Sequence, residues 1–340
     1  MIRNKYTALA AAFLFGLSTQ SMAGFEPLPL KAPEPADNPT TAAKVRLGKQ
    51  LFFDPRLSID NTVSCNTCHD VTGNGTDSRS TSMGVDGQLG GRSAPTVWNA
   101  AFLSSQFWDG RAATLEDQAK GPILNPIEMG MPHKEAAVDR IAAIPGYKKQ
   151  FDDIFDGLTT VTYDNIAKAI AAYERTLITP NSPFDRYLRG DHSALTAEAK
   201  AGMSEFEDLG CIRCHHGPAF AGPRMPTGEI FYQYFPAYPS KYDEEYKLRE
   251  DLGHRNDATD IKARPGLWRV PPLRNIALTA PYFHNGSVPT LKKAVQVMAR
   301  VQLNREIKES QIDHLVAFLE SLTGEFTLQV PPKLPDMPDK

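Results

Sequence analysis

The sequence has little net charge, few cysteines and no long apolar run after its first residues. Each of these features excludes some classes of protein. The formal net charge is −3 over 340 residues, so there is no overall basic footprint for nucleic acid. After the start, no stretch is apolar over the length that a transmembrane helix needs. Convincing alternation of apolar and polar residues is also missing, so we expect a mostly α-helical fold.

The first 23 residues carry the features of a secretory signal. Arg3 and Lys5 precede an apolar segment that is too short to span a bilayer. Ser21 and Ala23 then place small residues at both key positions of a cleavage site. We therefore expect residues 1–23 to be removed on export to the periplasm and the mature chain to be soluble, with an uncleaved membrane anchor as the alternative.

Proline and glycine, with 27 and 24 residues, predict long irregular loops between the helices. Thr196 is expected to begin a helix and Gly210 to end it. Between two groups of predicted helices, residues 179–191 have turn composition. Apolar residues at helical spacing predict those helices near 41–53, 113–120, 134–143, 147–155 and 163–177, and then near 195–210, 290–300 and 310–324.

The two groups of helices echo each other. Gly48-x-x-x-Phe52 in the first group and Gly202-x-x-x-Phe206 in the second each precede a cysteine motif, as in a duplicated unit. We expect a proline-rich extended arm at 24–41, a first domain at 42–180, a second domain at 181–324 and a tail at 325–340.

The four cysteines form two C-x-x-C-H motifs, which are the attachment signal of a c-type haem. The motifs are Cys65-x-x-Cys68-His69 and Cys211-x-x-Cys214-His215. In such a motif the two thiols bind the haem covalently, and the histidine that follows binds the iron. The sequence therefore predicts two covalent haems and leaves His216 as a bystander.

Three other uses of paired cysteines fit the spacing less well. A thioredoxin-like pair would lie near a βαβ pattern, which the chain does not have. A zinc ribbon brings its two pairs within about 20 residues of each other, whereas these pairs lie in different halves of the chain. Two disulfides would suit an exported protein, but they need no histidine after each pair.

The ligand opposite each histidine decides between electron transfer and catalysis. An iron with two strong axial ligands transfers electrons, whereas an open position also permits reaction with a substrate. From Asp70 to Pro132 the chain has no His, Cys or Tyr, so few residues are available to the first iron. For the second iron, Tyr282, His284 and Met298 are all candidates, and the residue pattern does not choose between them.

At several longer motifs the chain resembles the bacterial diheme cytochrome c peroxidase family. The resemblance runs from about residue 42 to 324 and rests on LGKQLFFDPRLS, SCNTCH, QFWDGRA, QAKGPILNPIEM, AAYERTLITPNSPFDRYLRGD, GCIRCH, PPLRNIALTAPYFHNGS and VMARVQLNRE. It implies two cytochrome c-like helical domains whose haems differ in potential. The low-potential haem on His69 would react with peroxide, and the high-potential haem on His215 would pass electrons to it.

The resemblance also implies roles for four residues. Met298 matches the family's ligand of the second iron, and Trp108 its tryptophan between the haems. Glu128 matches the catalytic glutamate, and Gln118 another active-site position. A carboxylate suits peroxide cleavage because it can take the proton from one oxygen and return it to the other.

The chain departs from the family pattern in the loop after the first motif. Many members carry a histidine there, which blocks the first iron until the second haem is reduced. Here the segment is SMGVDG, and the matching residue is Val85, which cannot bind iron. The sequence therefore predicts an open first iron and an enzyme that needs no reductive activation. Met83 and His133 are the remaining residues that could cap the iron.

A second departure concerns the calcium ion that the family carries between its domains. The family's asparagine ligand is replaced here by Ser93, whereas the carbonyl groups of Val270 and Pro272 remain as ligands. Calcium on these three residues is therefore a candidate third cofactor beside the two haems.

Taken together, these features predict a periplasmic peroxidase that reduces H2O2 to water. Its electrons would come from a small soluble redox protein, a cytochrome c or a cupredoxin, and the resemblance implies a homodimer. Two other functions stay open. One is a diheme enzyme that oxidises tryptophans of a partner protein, and Met298 argues against it because that relative has tyrosine at this place. The other is a diheme electron carrier, which needs two ligands on both irons.

Overall fold

The computed structural model describes residues 24–254 and 265–337, so the predicted signal at 1–23 lies outside the described residues. Helices dominate the regular structure, which confirms the predicted fold class. The α-helices of the described residues are α1 (Ala42–Phe53), α2 (Cys65–Cys68), α3 (Leu115–Leu124), α4 (Lys134–Ala142), α5 (Pro145–Ile154), α6 (Tyr163–Glu174), α7 (Pro183–Leu188), α8 (Ala197–Asp208), α9 (Tyr242–Glu245), α10 (Leu291–Leu303) and α11 (Glu309–Glu320). The strands β1 (Tyr232–Tyr234) and β2 (Leu267–Arg269) form a short antiparallel ribbon. None of these helices is long and apolar enough to cross a membrane.

Threonine side chains begin many of the helices. The hydroxyl of Thr196 accepts a hydrogen bond from the backbone N–H of Ala199, and Gly210 follows α8 with a φ of 93°. Both ends of this helix confirm the prediction. The same N-cap bond is made by Thr41 at α1, Thr114 at α3, Thr162 at α6 and Thr290 at α10.

The predicted turn at 179–191 is partly wrong, because α7 lies inside it. Ser182 and Asp185 form a reciprocal capping box, and Pro183 occupies the first helical turn. The serine, proline and aspartate that indicated a turn are also the residues that begin a helix.

The Gly-x-x-x-Phe pattern that repeats in the two halves corresponds to two helix crossings. At Gly48, α1 packs so closely on α6 that an added Cβ would overlap the carbonyl oxygen of Ala169. At Gly202, α8 packs on α11 in the same way, and an added Cβ would overlap the carbonyl oxygen of His314. Both glycines are therefore required by close contact between helix backbones.

Each crossing carries its own apolar core. One cluster is built from residues between 47 and 177, and another is rich in phenylalanine and runs from Phe184 to Leu322. Residues 24–41 before α1 form neither helix nor strand, and Phe25 packs into the second cluster. The domain limits at 180/181 and 324/325 stay predictions.

Candidate functional site

The first cysteine motif forms a single helical turn. Cys65 and Cys68 are the ends of α2, and the backbone N–H of His69 donates to the carbonyl of Cys65 at 2.9 Å. The second motif forms a 3₁₀ turn in which His215 donates to Cys211 at 3.0 Å. All four cysteines carry free thiols, so neither motif forms a disulfide. Each turn presents two thiols and one imidazole within five residues, as covalent haem attachment requires.

Both motif histidines are held in the form that binds a metal. Nδ1 of His69 lies 2.9 Å from the carbonyl oxygen of Pro95, and Nδ1 of His215 lies 3.0 Å from that of Phe220. A carbonyl can only accept, so Nδ1 carries the proton and Nε2 keeps its lone pair. Burial lowers the pKa of His69 and lowers that of His215 to about 4, so both rings are neutral at pH 7.

The neighbouring His216 differs from these two. Its Nδ1 lies 3.0 Å from the carbonyl oxygen of Ile212, and its ring packs edge-on against Phe231. Within the described residues it does not line the cavities of the two motifs. These positions agree with the bystander role that the motif assigns to it.

A cavity beside the first motif, called here the first cavity, contains the predicted catalytic residues. Its walls include Cys68 and His69, together with Gln118 from α3, Glu128 from the turn after α3, and Trp108. The structure therefore brings all three predicted catalytic side chains to the cavity of the first motif histidine.

Glu128 is held by its own turn. Its Oε1 accepts a hydrogen bond from Nδ2 of Asn125 at 2.7 Å. Burial raises the pKa of Glu128, while the charge of Arg111 and the bond from Asn125 act in the opposite direction. Arg111 also lines the first cavity. A carboxylate with one oxygen anchored and a raised pKa is suited to proton exchange.

Val85 lies in the apolar core and not in the wall of the first cavity. Its side chain is only 2% exposed, and its backbone N–H donates to the carbonyl of Glu128 at 3.0 Å. Beside it, Gly84 approaches so closely that an added Cβ would overlap the carbonyl oxygen of Ile127. The loop therefore packs against the segment that carries Glu128, and Val85 is its apolar anchor.

The two residues considered as substitute caps lie elsewhere. Met83 is 42% exposed and pairs with Leu89 across the loop. His133 caps α4 by accepting from the backbone N–H of Ala136, and its side chain is 61% exposed. Among the described residues that line the first cavity, His69 is the one imidazole, and there is no methionine.

The second motif borders two adjoining hollows, called here the second cavity. His215, Met298 and Trp108 line both hollows, whereas Tyr282 lines one and His284 the other. His284 is stacked on Trp268 with ring centroids 4.2 Å apart. All three candidates for the second iron are therefore near His215, and Met298 borders the larger share of the space.

Trp108 forms part of the partition between the first and second cavities. It lines both cavities, and its indole Nε1 donates to the carbonyl of Ser93 at 2.9 Å. Its own carbonyl accepts from the backbone N–H of Arg269 at 3.2 Å. Trp108 is thus held between the two cavities by one hydrogen bond from its indole and one to its backbone carbonyl.

The three residues considered for calcium lie beside this partition. The carbonyl of Val270 already accepts from Nη1 of Arg269 at 3.1 Å, and the hydroxyl of Ser93 donates to the carbonyl of Arg79 at 3.4 Å. Pro272 lines both cavities. The described residues contain no cluster of three or more His, Cys, Asp or Glu that could hold a metal. A fixed positive charge on the Val270 carbonyl makes this a poor site for a divalent cation.

Three residues near the first cavity were missed by the sequence analysis: Asn125, Arg111 and Glu174. Asn125 and Glu128 both belong to the NPIEM segment, and their spacing of three residues was a usable signal. Glu174 lies four residues after Ile170 on the apolar face of α6, and a charged residue at that position was a second signal. Nothing in the sequence indicated that Arg111 faces Glu128.

Comparison with known proteins shows which family the chain is similar to. Residues 42–193 match the family model described as di-haem cytochrome c peroxidase, and residues 265–305 match one described as RoxA-like, cytochrome c-like. The chain is 43% identical to cytochrome c551 peroxidase of Nitrosomonas europaea, over 93% of this chain and 89% of the relative. It is also 43% identical to cytochrome c551 peroxidase of Pseudomonas aeruginosa, over 91% of this chain and 87% of the relative.

Among solved structures, the fold is similar to that of a MauG-like protein associated with microbial copper homeostasis. The TM-score is 0.76 at 29% sequence identity, over 88% of this chain and 95% of the other.

Proposed function

Since the chain belongs to the di-haem cytochrome c peroxidase family, we propose that this peroxidase reduces hydrogen peroxide to water in its first cavity. The observation that carries the proposal is the composition of that cavity. It places Glu128 and Gln118 in the same space as His69, with no second imidazole or thioether among its described lining residues. A cavity that combines one imidazole with a carboxylate and an amide, and has no second strong iron ligand among its described lining residues, would suit a reaction with peroxide once the haem is bound.

The family has two c-type haems, and when bound they supply the iron that cleaves the O–O bond and the electrons that reduce it. We assign the first haem to Cys65, Cys68 and His69. The second haem is assigned to the other motif, where Cys211 and Cys214 would attach it and His215 and Met298 would bind its iron. Support for this assignment comes from the free thiols and from the protonated Nδ1 of each histidine.

Glu128 moves a proton during the reaction. Its carboxylate takes the proton from one oxygen of peroxide and returns it to the other, which then leaves as water. Asn125 keeps Oε1 in place at 2.7 Å, so the second oxygen of the carboxylate is available to the substrate. The amide of Gln118 orients the peroxide from the same wall.

Trp108 gives electrons an aromatic path between the cavities. Support comes from its place in the walls of both cavities and from the two backbone bonds that fix it. A thioether ligand such as Met298 raises the potential of a haem, which suits the second site to receive electrons from outside.

We further propose that the first site is open in the oxidised protein, so that no reductive activation is needed. Val85 is buried in the core at the position where the resemblance implies a histidine in many family members, and Met83 and His133 do not line the cavity. The loop is also held by the bond from Val85 to Glu128.

The test is an optical and EPR spectrum of the fully oxidised holoenzyme, with peroxide turnover measured on the same untreated sample. We expect one high-spin haem and immediate turnover. Two low-spin haems with turnover only after partial reduction would contradict the open site and leave the peroxidase activity standing. Two low-spin haems without turnover after any treatment would instead support an electron carrier.

Oxidation of tryptophans on a partner protein is the second candidate. It is favoured by Tyr282, which is 6% exposed and lines the second cavity beside Met298, and by the similarity to a MauG-like structure. The charge-transfer absorption of a thioether-bound ferric haem would identify Met298 as the ligand. A tyrosine-bound second haem would favour the second candidate.

The cellular location, oligomeric state and electron donor are proposed from the sequence motifs and from the family. We propose a periplasmic enzyme that acts as a homodimer and receives electrons from a small soluble cytochrome c or cupredoxin near the second haem. Transient redox partners of this kind bury little surface, so salt should weaken the contact. A calcium ion on Ser93, Val270 and Pro272 is proposed only as a weakly bound ion, because Arg269 already holds the Val270 carbonyl.

A further inference from the structure

A second acid lies in the wall of the first cavity, and the mechanism above does not use it. Glu174, at the end of α6, is 5% exposed and lines the cavity together with Gln118 and Glu128. Its Oε2 is fully buried and has no hydrogen-bond partner. An ionised carboxylate in this position would leave a buried oxygen without a hydrogen-bond partner for its charge. The position therefore favours the neutral, protonated acid.

The groups around Glu174 do not neutralise it. Arg175 is next to it on α6, but its Nη2 binds Oε1 of Glu116 from α3 at 2.6 Å. From α2, the thiol of Cys65 is the other titratable group nearby, and from α1 the charge of Lys44 acts on Arg175. Because the arginine is already paired with a carboxylate, it offers Glu174 only partial compensation.

We propose that Glu174 is a second acid of the first cavity, which holds a proton in the resting enzyme and supplies it to the reduction of peroxide. The inference rests on the proposed function and adds a role for a residue at the same site. Burial raises the pKa of Glu174 to about 8, with Glu116 acting in the same direction and Arg175 against it. At pH 7 the carboxyl group is therefore mostly protonated.

The balance of the reaction requires two protons beyond those that peroxide carries, and Glu174 is placed to supply one. Reduction of H2O2 to two waters consumes two electrons and two protons, and the electrons come from the soluble redox protein. Glu128 only transfers the proton that peroxide already carries, so both consumed protons must come from other groups or from solvent. Glu174 gives up its carboxyl proton to an oxygen of the substrate, becomes a carboxylate, and takes a proton back from solvent water. Its unfavourable buried charge drives that return.

The first measurement is infrared spectroscopy of the oxidised holoenzyme. We expect the carbonyl band of a buried, protonated carboxylic acid, which shifts in D2O and disappears as the pH rises through about 8. The band should be absent from Glu174→Gln and present in Glu128→Gln. Glu207→Gln is the matched control, since Glu207 also has a pKa raised by burial but lies outside both cavities.

The second measurement is the pH profile of turnover. We expect Glu174→Gln to be slower by about 10²-fold and to lose the fall in rate above the pKa, as for loss of a proton donor. Glu207→Gln should match the wild type. A merely structural role would lower the rate without changing the shape of the profile.

Several outcomes would overturn the inference. One is a wild-type enzyme that turns over peroxide without any protonated carboxylic acid band, and another is a band that survives in Glu174→Gln. If Glu174→Gln does not fold, Glu174→Asp should keep a shifted band and partial turnover, and loss of the band there would also count against the donor. Failure of the proposed function looks different, because the wild type would then show no peroxide turnover whatever the infrared spectrum contains.

Discussion

The first and second cavities are built on the same local structure and differ in the other side chains that line them. In both halves a glycine lets two helices cross, a short turn presents two thiols, and the imidazole Nδ1 donates to a backbone carbonyl. The walls of the first cavity carry Glu128, Gln118 and Glu174 as well as His69. The described residues that line the second cavity include no acid, and Met298, Tyr282 and His284 lie in its walls beside arginine and glutamine side chains.

The residues that attach the cofactor are therefore different from those that determine what it reacts with. The shared frame fixes a cofactor and one ligand in the same way twice, so it does not decide what each site does. The other residues that line each cavity decide what the site does. A second strong ligand would block the iron, whereas acids and amides can act on a substrate.

Among the changes considered, removal of the Glu128 carboxylate should have the largest effect on peroxide turnover, which depends on the first cavity. Glu128→Gln keeps the shape and the contact with Asn125 but cannot accept a proton, so we expect turnover to fall by about 10²–10⁴-fold. Peroxide turnover of the oxidised holoenzyme is the measurement, and the spectrum of the second haem should not change. Near-normal turnover would move the proton transfer to another group.

The pH dependence sharpens the same prediction. Since the pKa of Glu128 is raised by burial, the acid form persists above its usual range and the base is lost as the pH falls through that raised pKa. Turnover should therefore rise with pH on the acidic side, and Glu128→Gln should lack this limb. An acidic limb that survives in the variant would assign it to a different group.

Much of this frame could be predicted from the sequence, because it depends on short local patterns. The C-x-x-C-H motifs, the N-cap of Thr196 and the paired glycines Gly48 and Gly202 each act within a few residues or one helix. Periodicity likewise located the longer helices. These features need no knowledge of which distant segments meet.

The other residues that line the first cavity were harder to predict, because they come from segments far apart in sequence. The sequence shows that Val85 replaces a possible iron ligand, but it does not show that this side chain belongs to the core or that its loop packs on the segment of Glu128. The contact of Gly84 with Ile127 that fixes this packing joins two irregular segments. Neither periodicity nor spacing carries information about such contacts. The burial of Glu174 in a cavity was hidden for the same reason.

Loss of the Met298 thioether should have the next largest effect, and it changes the second cavity. We expect Met298→Leu to lower the potential of the second haem and to remove its thioether absorption, so that electron delivery and turnover both fall. Met203→Leu is the matched control, since Met203 is a core methionine of the second cluster that lines neither hollow. If Met298→Leu leaves the spectrum unchanged, Tyr282 or His284 is the ligand.

The helix crossings should respond equally in the two halves. Gly48→Ala and Gly202→Ala each force a methyl group against a carbonyl oxygen, so the helices must separate at a cost of about 2 kcal/mol or more in unfolding free energy. Denaturant unfolding of the holoenzyme measures this. Gly91→Ala is the control, since an added Cβ there meets nothing within 4 Å and the predicted change is near zero. A large effect in one half only would show that the crossings are not equivalent.

Calcium removal should have the smallest effect, because the partition between the cavities is already held by the protein itself. Arg269 is 4% exposed, and its guanidinium occupies the carbonyl of Val270 at 3.1 Å, so a divalent cation would be repelled by a buried charge. We expect 1 mM calcium to raise the unfolding free energy by less than about 1 kcal/mol, which corresponds to weak binding. Titration calorimetry of chelator-treated protein checks the affinity, and Ser93→Asn, which adds an amide oxygen, should tighten it. Tight calcium binding by the wild type, with a change in the spectrum of either haem on chelation, would mean that the ion and not Arg269 organises the partition.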